Sequence, residues 1–120
     1  MPTPAGPYSS VVVSDGFIFV CGQIPRDADG NLAGEDFESQ ARQVFENMRR
    51  CLAATGASMS DVVKVNGFLK DWSDAPAFNE VYREYFTEPY PVRSTIPVAL
   101  GTIRVEVECI ARLPRGAGDE

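Results

Sequence analysis

At Asp36 the hydrophobic residues change period, and that change limits the fold more than any other feature of the chain. Phe37, Ala41, Val44, Phe45, Met48 and Leu52 fall at spacings of four, three, one, three and four, which draws one apolar stripe along a helix. Glu38, Gln40, Arg42, Gln43, Glu46 and Arg49 cover the other side, and Thr55-Gly56 ends the run with a glycine suited to a left-handed cap. Before the helix the pattern is that of strands. Val11–Val13 and Phe17–Cys21 flank Ser14-Asp15-Gly16, a turn signal, and read as a β-hairpin. Gly22-Gln23-Ile24-Pro25 leaves the second strand, and Asp27-Ala28-Asp29-Gly30-Asn31 marks another turn. After the helix, Val62–Leu69 reads as a strand. Ser73-Asp74-Ala75-Pro76 then supplies an N-cap residue and a first-turn proline. The second helix carries Phe78, Val81, Tyr82, Tyr85 and Phe86 on one face and stops at Glu88-Pro89-Tyr90-Pro91. Ser94–Ala99 and Ile103–Ala111 are the last two strands.

The order is ββ(β)-α-β-α-ββ, which predicts an α+β protein whose two helices cover one face of a mixed sheet. The opposite face then needs a partner, and at this size oligomerisation is the readiest source. No repeat, linker or low-complexity tract interrupts residues 1–120, so one domain is expected, with a Gly-rich, charged and disordered tail over 114–120.

A chain of 120 residues can bury a core without disulfides or metal. Eleven basic against seventeen acidic side chains give a formal charge of −6, which repels nucleic acid and anionic membranes unless basic residues cluster. The one adjacent basic pair, Arg49-Arg50, reads as a solvated helix face. Histidine is absent, which removes Ser-His-Asp and Cys-His nucleophile systems and the commonest zinc sites. Cys21, Cys51 and Cys109 form no CxxC pair and read as reduced thiols in a cytoplasmic protein. The amino terminus lacks the pattern of a signal peptide or membrane span.

Carboxylates, arginines, tyrosines and thiols remain as candidates for chemistry. Glu106 and Glu108 stand two apart on an apolar strand and therefore share a face. Either that face gives them a function, or both meet solvent on an edge strand, or one pairs with Arg104 or Arg112. Arg93 follows two prolines and opens a strand, a stiff setting suited to bidentate recognition of a carboxylate. It reads equally as a surface arginine at a loop-to-strand junction.

Gly6-Pro7-Tyr8-Ser9 and Cys21-Gly22-Gln23-Ile24-Pro25 resemble the amino-terminal signature of the RidA/YjgF family, the reactive intermediate deaminases. The segments 40–48, 61–64 and 78–86 are similar to its middle, and Pro91-Val92-Arg93-Ser94-Thr95 and residues 105–111 to its end. The resemblance implies a chorismate-mutase-like fold with a six-stranded sheet, and a homotrimer with active sites between subunits. It further implies hydrolysis of 2-enamine or 2-imine carboxylates, such as 2-aminoacrylate and 2-iminopropanoate, to a 2-keto acid and ammonium without cofactor or metal.

Carried over by position, Arg93 matches the arginine that binds the substrate carboxylate and Glu106 the glutamate that holds or activates water. Tyr8 and Asn79 match cleft residues, while Cys21 and Gly22 stand where a hydroxyl residue and a backbone donor are usual. Cys21 departs from the family's Ser or Thr, and Pro97 replaces a polar residue at a position proline confines to an edge or bulge. The connection Leu100-Gly101-Thr102-Ile103 is two residues shorter than usual. Counting forward from Arg93 gives Glu108 as the water-handling residue, and aligning backward from Cys109-Ile110-Ala111 gives Glu106, which is preferred because deletions belong in loops. A member that binds a carboxylate in the same cleft without turnover is the alternative reading. A ribonuclease, a label some relatives carry, fits the charge poorly.

Overall fold

The computed structural model describes residues 4–114. Strand β1 (Val11–Ser14) and strand β2 (Phe17–Gln23) form the expected hairpin. Ser14 pairs with Phe17, leaving a two-residue loop in which Asp15 (φ 53°) and Gly16 (φ 80°) are both left-handed, the turn that matches strand twist. Helix α1 (Phe37–Ala53) begins where Asp36 accepts a hydrogen bond from the Ser39 amide at 2.9 Å. Strand β3 (Val62–Leu69) coincides with its sequence reading, and helix α2 (Ala75–Tyr85) follows. Strands β4 (Val92–Pro97) and β5 (Val105–Arg112) complete the sheet in the order β1-β2-β5-β3-β4. Among the described strands only β3 and β4 run parallel.

The described sheet has five strands, not six. The stretch after β2 is spent on a turn, where the Asp27 carboxylate accepts the Asp29 and Asn31 amides and Gly30 is left-handed. Its two legs meet in a single bridge, Arg26 to Leu32, and never grow into a strand. Strand β5 starts two residues later than expected because the Arg104 amide donates to Gln40 Oε1 (2.8 Å) instead of to the sheet. Gln40 itself, placed on the polar side of the stripe, is buried, and its amide also donates to the Gly34 carbonyl at 2.8 Å. Pro97 ends β4, an edge strand, where a missing amide costs no ladder bond. The tail beyond residue 114 lies outside the described residues.

Both helices lie on one face of the sheet. Val65, Leu69, Val105, Val107 and Ala111 are fully buried beneath them. Phe45 of α1 stacks on Phe78 (5.9 Å) and Tyr85 (5.2 Å) of α2, which locks the two helices together. A Cβ on Gly67 would stand 2.9 Å from the Phe78 ring, so the glycine lets α2 settle onto β3. The other sheet face carries no helix. Val12, Phe19, Val92 and Ile96 are each more than two-fifths exposed there. Large apolar side chains this exposed on both flanks of a sheet face are characteristic of an interaction surface.

Candidate active site

The sequence candidates separate into two clusters. The first lies on the helix face at the edge strand. Arg93 pairs in register with fully buried Val65, and its guanidinium carbon stands 4.7 Å above the Tyr82 ring and 5.3 Å from that of Phe78. Arg93 Nη2 donates to Asn79 Oδ1 at 2.8 Å. Two aromatic faces and one amide therefore fix the fork, while no carboxylate among the described residues pairs with it. A cleft of about 280 Å³ bounded by Asn79, Tyr82, Tyr90, Pro91 and Arg93 opens beside it. An arginine so held offers its remaining N–H groups to an incoming anion. Two polar atoms beside it escaped sequence reasoning: Thr95 Oγ1 and Tyr82 Oη are buried with no hydrogen-bond partner among the described residues. The i, i+2 spacing of Arg93 and Thr95 on one strand face was the available signal for the first. Burial pushes the Tyr82 hydroxyl up to about 12, so it stays protonated.

The second cluster forms around a bulge. Val20 pairs with Cys109 and Gln23 with Val107, so Cys21 and Gly22 together face Glu108. Tyr8, Cys21 and Gly22 line a second cavity of about 280 Å³ with Ile24, Asn47 and Cys51. A Cβ on Gly22 would overlap Oε2 of Glu106 and lie 3.0 Å from its Cδ, so the carboxylate rests against bare backbone. Burial, then the charge of Glu108, hold the Glu106 carboxyl above its ordinary value. Burial and Glu106 likewise raise the Cys21 thiol, which stays neutral and donates weakly to the Gly22 carbonyl (3.7 Å).

Glu106 and Glu108 share a face, as their spacing requires, but not a setting. Glu108 accepts from Asn66 Nδ2 at 3.0 Å and lines a pocket with Cys21, Lys64 and Phe19. Glu106 has no hydrogen bond or ion pair to a side chain of the described residues. The edge-strand alternative fails because β5 is central, and the arginine pairing fails because Arg104 approaches Asp74 at 3.7 Å and Arg112 lies over the Phe17 ring. Cys51 and Cys109 are buried free thiols. Among the described residues no group of three His, Cys, Asp or Glu side chains could hold a metal ion. No helix there is long and apolar enough to cross a membrane.

The two clusters are far apart within one chain. Glu106 is in register with Phe68 and Arg93 with Val65, three residues along and two strands across. That spacing is about 10 Å in each direction, or about 14 Å between backbones, with the side chains on opposite faces.

Changing Gly22 to alanine is expected to keep the fold, because the atom displaced is the end of a flexible side chain. The carboxylate would be driven off its seat. A misplacement of this size costs roughly 100-fold in rate, measurable as kcat on the reaction proposed below with unchanged circular dichroism.

A family model described as Endoribonuclease L-PSP matches residues 1–113. The 2-iminobutanoate/2-iminopropanoate deaminase of Dermatophagoides farinae is 42% identical over 112 residues, covering 91% of this chain and 88% of its own. RidA from the Antarctic bacterium Psychrobacter sp. PAMC 21119 superposes with a TM-score of 0.88 at 38% identity, over 93% of this chain and 92% of that one. E. coli TdcF with bound serine gives a TM-score of 0.87 at 34% identity, over 94% and 93%. With the α+β architecture shared and nearly the whole chain matched, the protein belongs to the Endoribonuclease L-PSP family, the family of the RidA/YjgF proteins.

Proposed function

We propose that the protein hydrolyses small 2-imine and 2-enamine carboxylates to 2-keto acids and ammonium, at sites completed between two subunits of a homotrimer. One observation carries this reading: Arg93 is stacked, hydrogen-bonded and free of any acidic partner among the described residues, a cation presented to an anionic ligand. Glu106 supplies the second function from another chain, because within one chain the two lie on opposite sheet faces. Packing the exposed apolar face of one subunit against its neighbours would hide that face and bring the edge of β4 toward the Cys21–Gly22 bulge. The deaminase name of the mite relative and the serine bound by TdcF, itself a small carboxylate, agree with this substrate class.

In this mechanism Arg93 holds the carboxylate by two charge-assisted hydrogen bonds, and its charge makes C2 more electrophilic. Glu106 takes a proton from a water whose oxygen bonds to C2, and passes it to nitrogen as the C=N π pair moves there. In the resulting carbinolamine Glu106 relays the hydroxyl proton to nitrogen, the C–N bond breaks with its electron pair leaving on ammonia, and the C=O of the keto acid forms. An enamine first takes a proton at C3 to enter as the imine. The substrate is already labile in water, so positioning and one general base suffice. Residues of the chain alone carry these steps. A charge of −6 and the lack of histidine argue against RNA as substrate.

The test uses 2-iminopropanoate generated in situ by an amino-acid oxidase. Faster release of pyruvate with the protein than without it supports the reading. Calorimetric binding of a keto acid without acceleration of several imines would replace it with a carboxylate-binding protein that uses the same cleft.

A further inference from the structure

We propose that Asn47 is a positioning residue: from inside α1 it fixes the backbone bulge on which Glu106 rests. The role in turnover depends on the function proposed above, but the geometry does not.

Asn47 lies within the α1 stripe and is 4% exposed. An asparagine there is less favourable to the helix than leucine, and burying its amide costs free energy unless every polar atom is used. Every one is used. Both Nδ2 hydrogens go to the segment leaving β2, to the carbonyls of Ile24 (3.0 Å) and Arg26 (2.9 Å). Oδ1 accepts from Gln43 Nε2 at 2.9 Å, which fixes the orientation of the amide. Both donors of Asn47 are committed to this backbone and its side chain is buried, so its role is structural support. What it does hold is the chain two residues after Gly22. Sheet pairing through Gln23 and Val107 anchors that chain on one side, and Asn47 anchors it on the other. A leucine would fill the same volume and leave the Arg26 carbonyl without a partner, while the Ile24 carbonyl would keep only the Arg26 amide (2.8 Å).

This anchor matters because Gly22 and Glu106 are in contact with no slack, and a bulge has fewer ladder bonds to hold it than regular strand. Loosening the 24–26 segment lets the Gly22 backbone draw back and admits water to the Glu106 carboxylate. The titrating neighbours of that carboxylate are Cys21 on β2 and Glu108 on β5; on β3 its partner is the uncharged Phe68.

The test is a 13C titration of the Glu106 carboxyl in the intact protein, in Asn47→Leu and in Gln43→Met, with kcat on 2-iminopropanoate beside it. The midpoint is expected to fall in both variants toward the ordinary glutamate value of about 4.3, furthest in Asn47→Leu. The kcat is expected to drop about tenfold in Asn47→Leu and by a smaller factor in Gln43→Met. If Asn47→Leu does not fold, Gln43→Met decides, since that side chain is only part-buried and its loss frees the amide alone. Unmoved midpoints, with activity lost only in proportion to folded protein, would reduce Asn47 to a packing residue. A moved midpoint in a protein that hydrolyses no imine would leave the positioning role standing and defeat the hydrolase reading instead.

Discussion

Replacing Arg93 with alanine is expected to lower kcat/KM for 2-iminopropanoate by about 100- to 10,000-fold while leaving the protein folded. The magnitude follows from two hydrogen bonds to a charged group, each worth about 1.5–3 kcal/mol. The fold should survive because Arg93 is exposed on an edge strand and pairs with no carboxylate of the described residues. Lysine at the same position keeps the charge but loses the planar fork and its stacking on Tyr82 and Phe78, so it should recover only part of the loss. Carboxylate contacts form before the chemical step and persist through it, so the greater part of the defect should appear in KM. Steady-state kinetics with thermal denaturation beside them checks each point. Full activity in Arg93→Ala would remove this residue from the mechanism.

Glu106→Gln is expected to reduce kcat by about 100- to 10,000-fold and to make the protein more stable at neutral pH. The stability gain follows from the direction of the shift. Burial, and then Glu108, hold the folded-state carboxyl above its unfolded value. The charged form is thus less favourable in the folded protein than in the unfolded chain. That destabilisation is full above the raised folded value and vanishes below the unfolded value of about 4.3. The Tm of Glu106→Gln should therefore exceed that of the parent at pH 7, and the two should converge near pH 4. In the parent, the acid limb of the kcat profile should lie above the ordinary glutamate range. Glu108→Gln provides the contrast, since Glu108 is already engaged by Asn66. It should keep most of the activity, whereas the reverse ranking of the two glutamates would reassign the base.

Much of this was legible in the sequence because it depended on period. The α1 stripe, the α2 stripe, the Asp15-Gly16 turn and the span of β3 all follow from spacing and turn chemistry, and the coordinates agree. The sixth strand failed because segment 24–36 has the composition of a strand flank but makes its hydrogen bonds within its own turn and to side chains of α1 and Arg104, not to the sheet. Gln40 and Asn47 were misjudged or missed for a related reason. A helical wheel counts an amide as solvent-facing, whereas here loop carbonyls and a strand amide fill the role of water. The separation of Arg93 from Glu106 could not be read from residue types. It depends on which strand takes which place in the sheet, and β5 inserts between β2 and β3 although it comes last in the chain.

Arg93 began as a residue with two equal readings, a carboxylate anchor or a bare surface charge. The rings of Tyr82 and Phe78 and the Asn79 amide give it a fixed orientation, and the proposed mechanism, given its distance from Glu106 within one chain, calls for a second subunit. Complementation tests that need directly. Arg93→Ala and Glu106→Gln, each inactive alone, are co-expressed in equal amounts and purified together without sorting the oligomers. If each site takes its arginine from one subunit and its glutamate from the next, random mixing restores both native residues to about a quarter of the sites, and about a quarter of parental activity should return. Activity no higher than that of the two variants measured separately would contradict a site shared between chains.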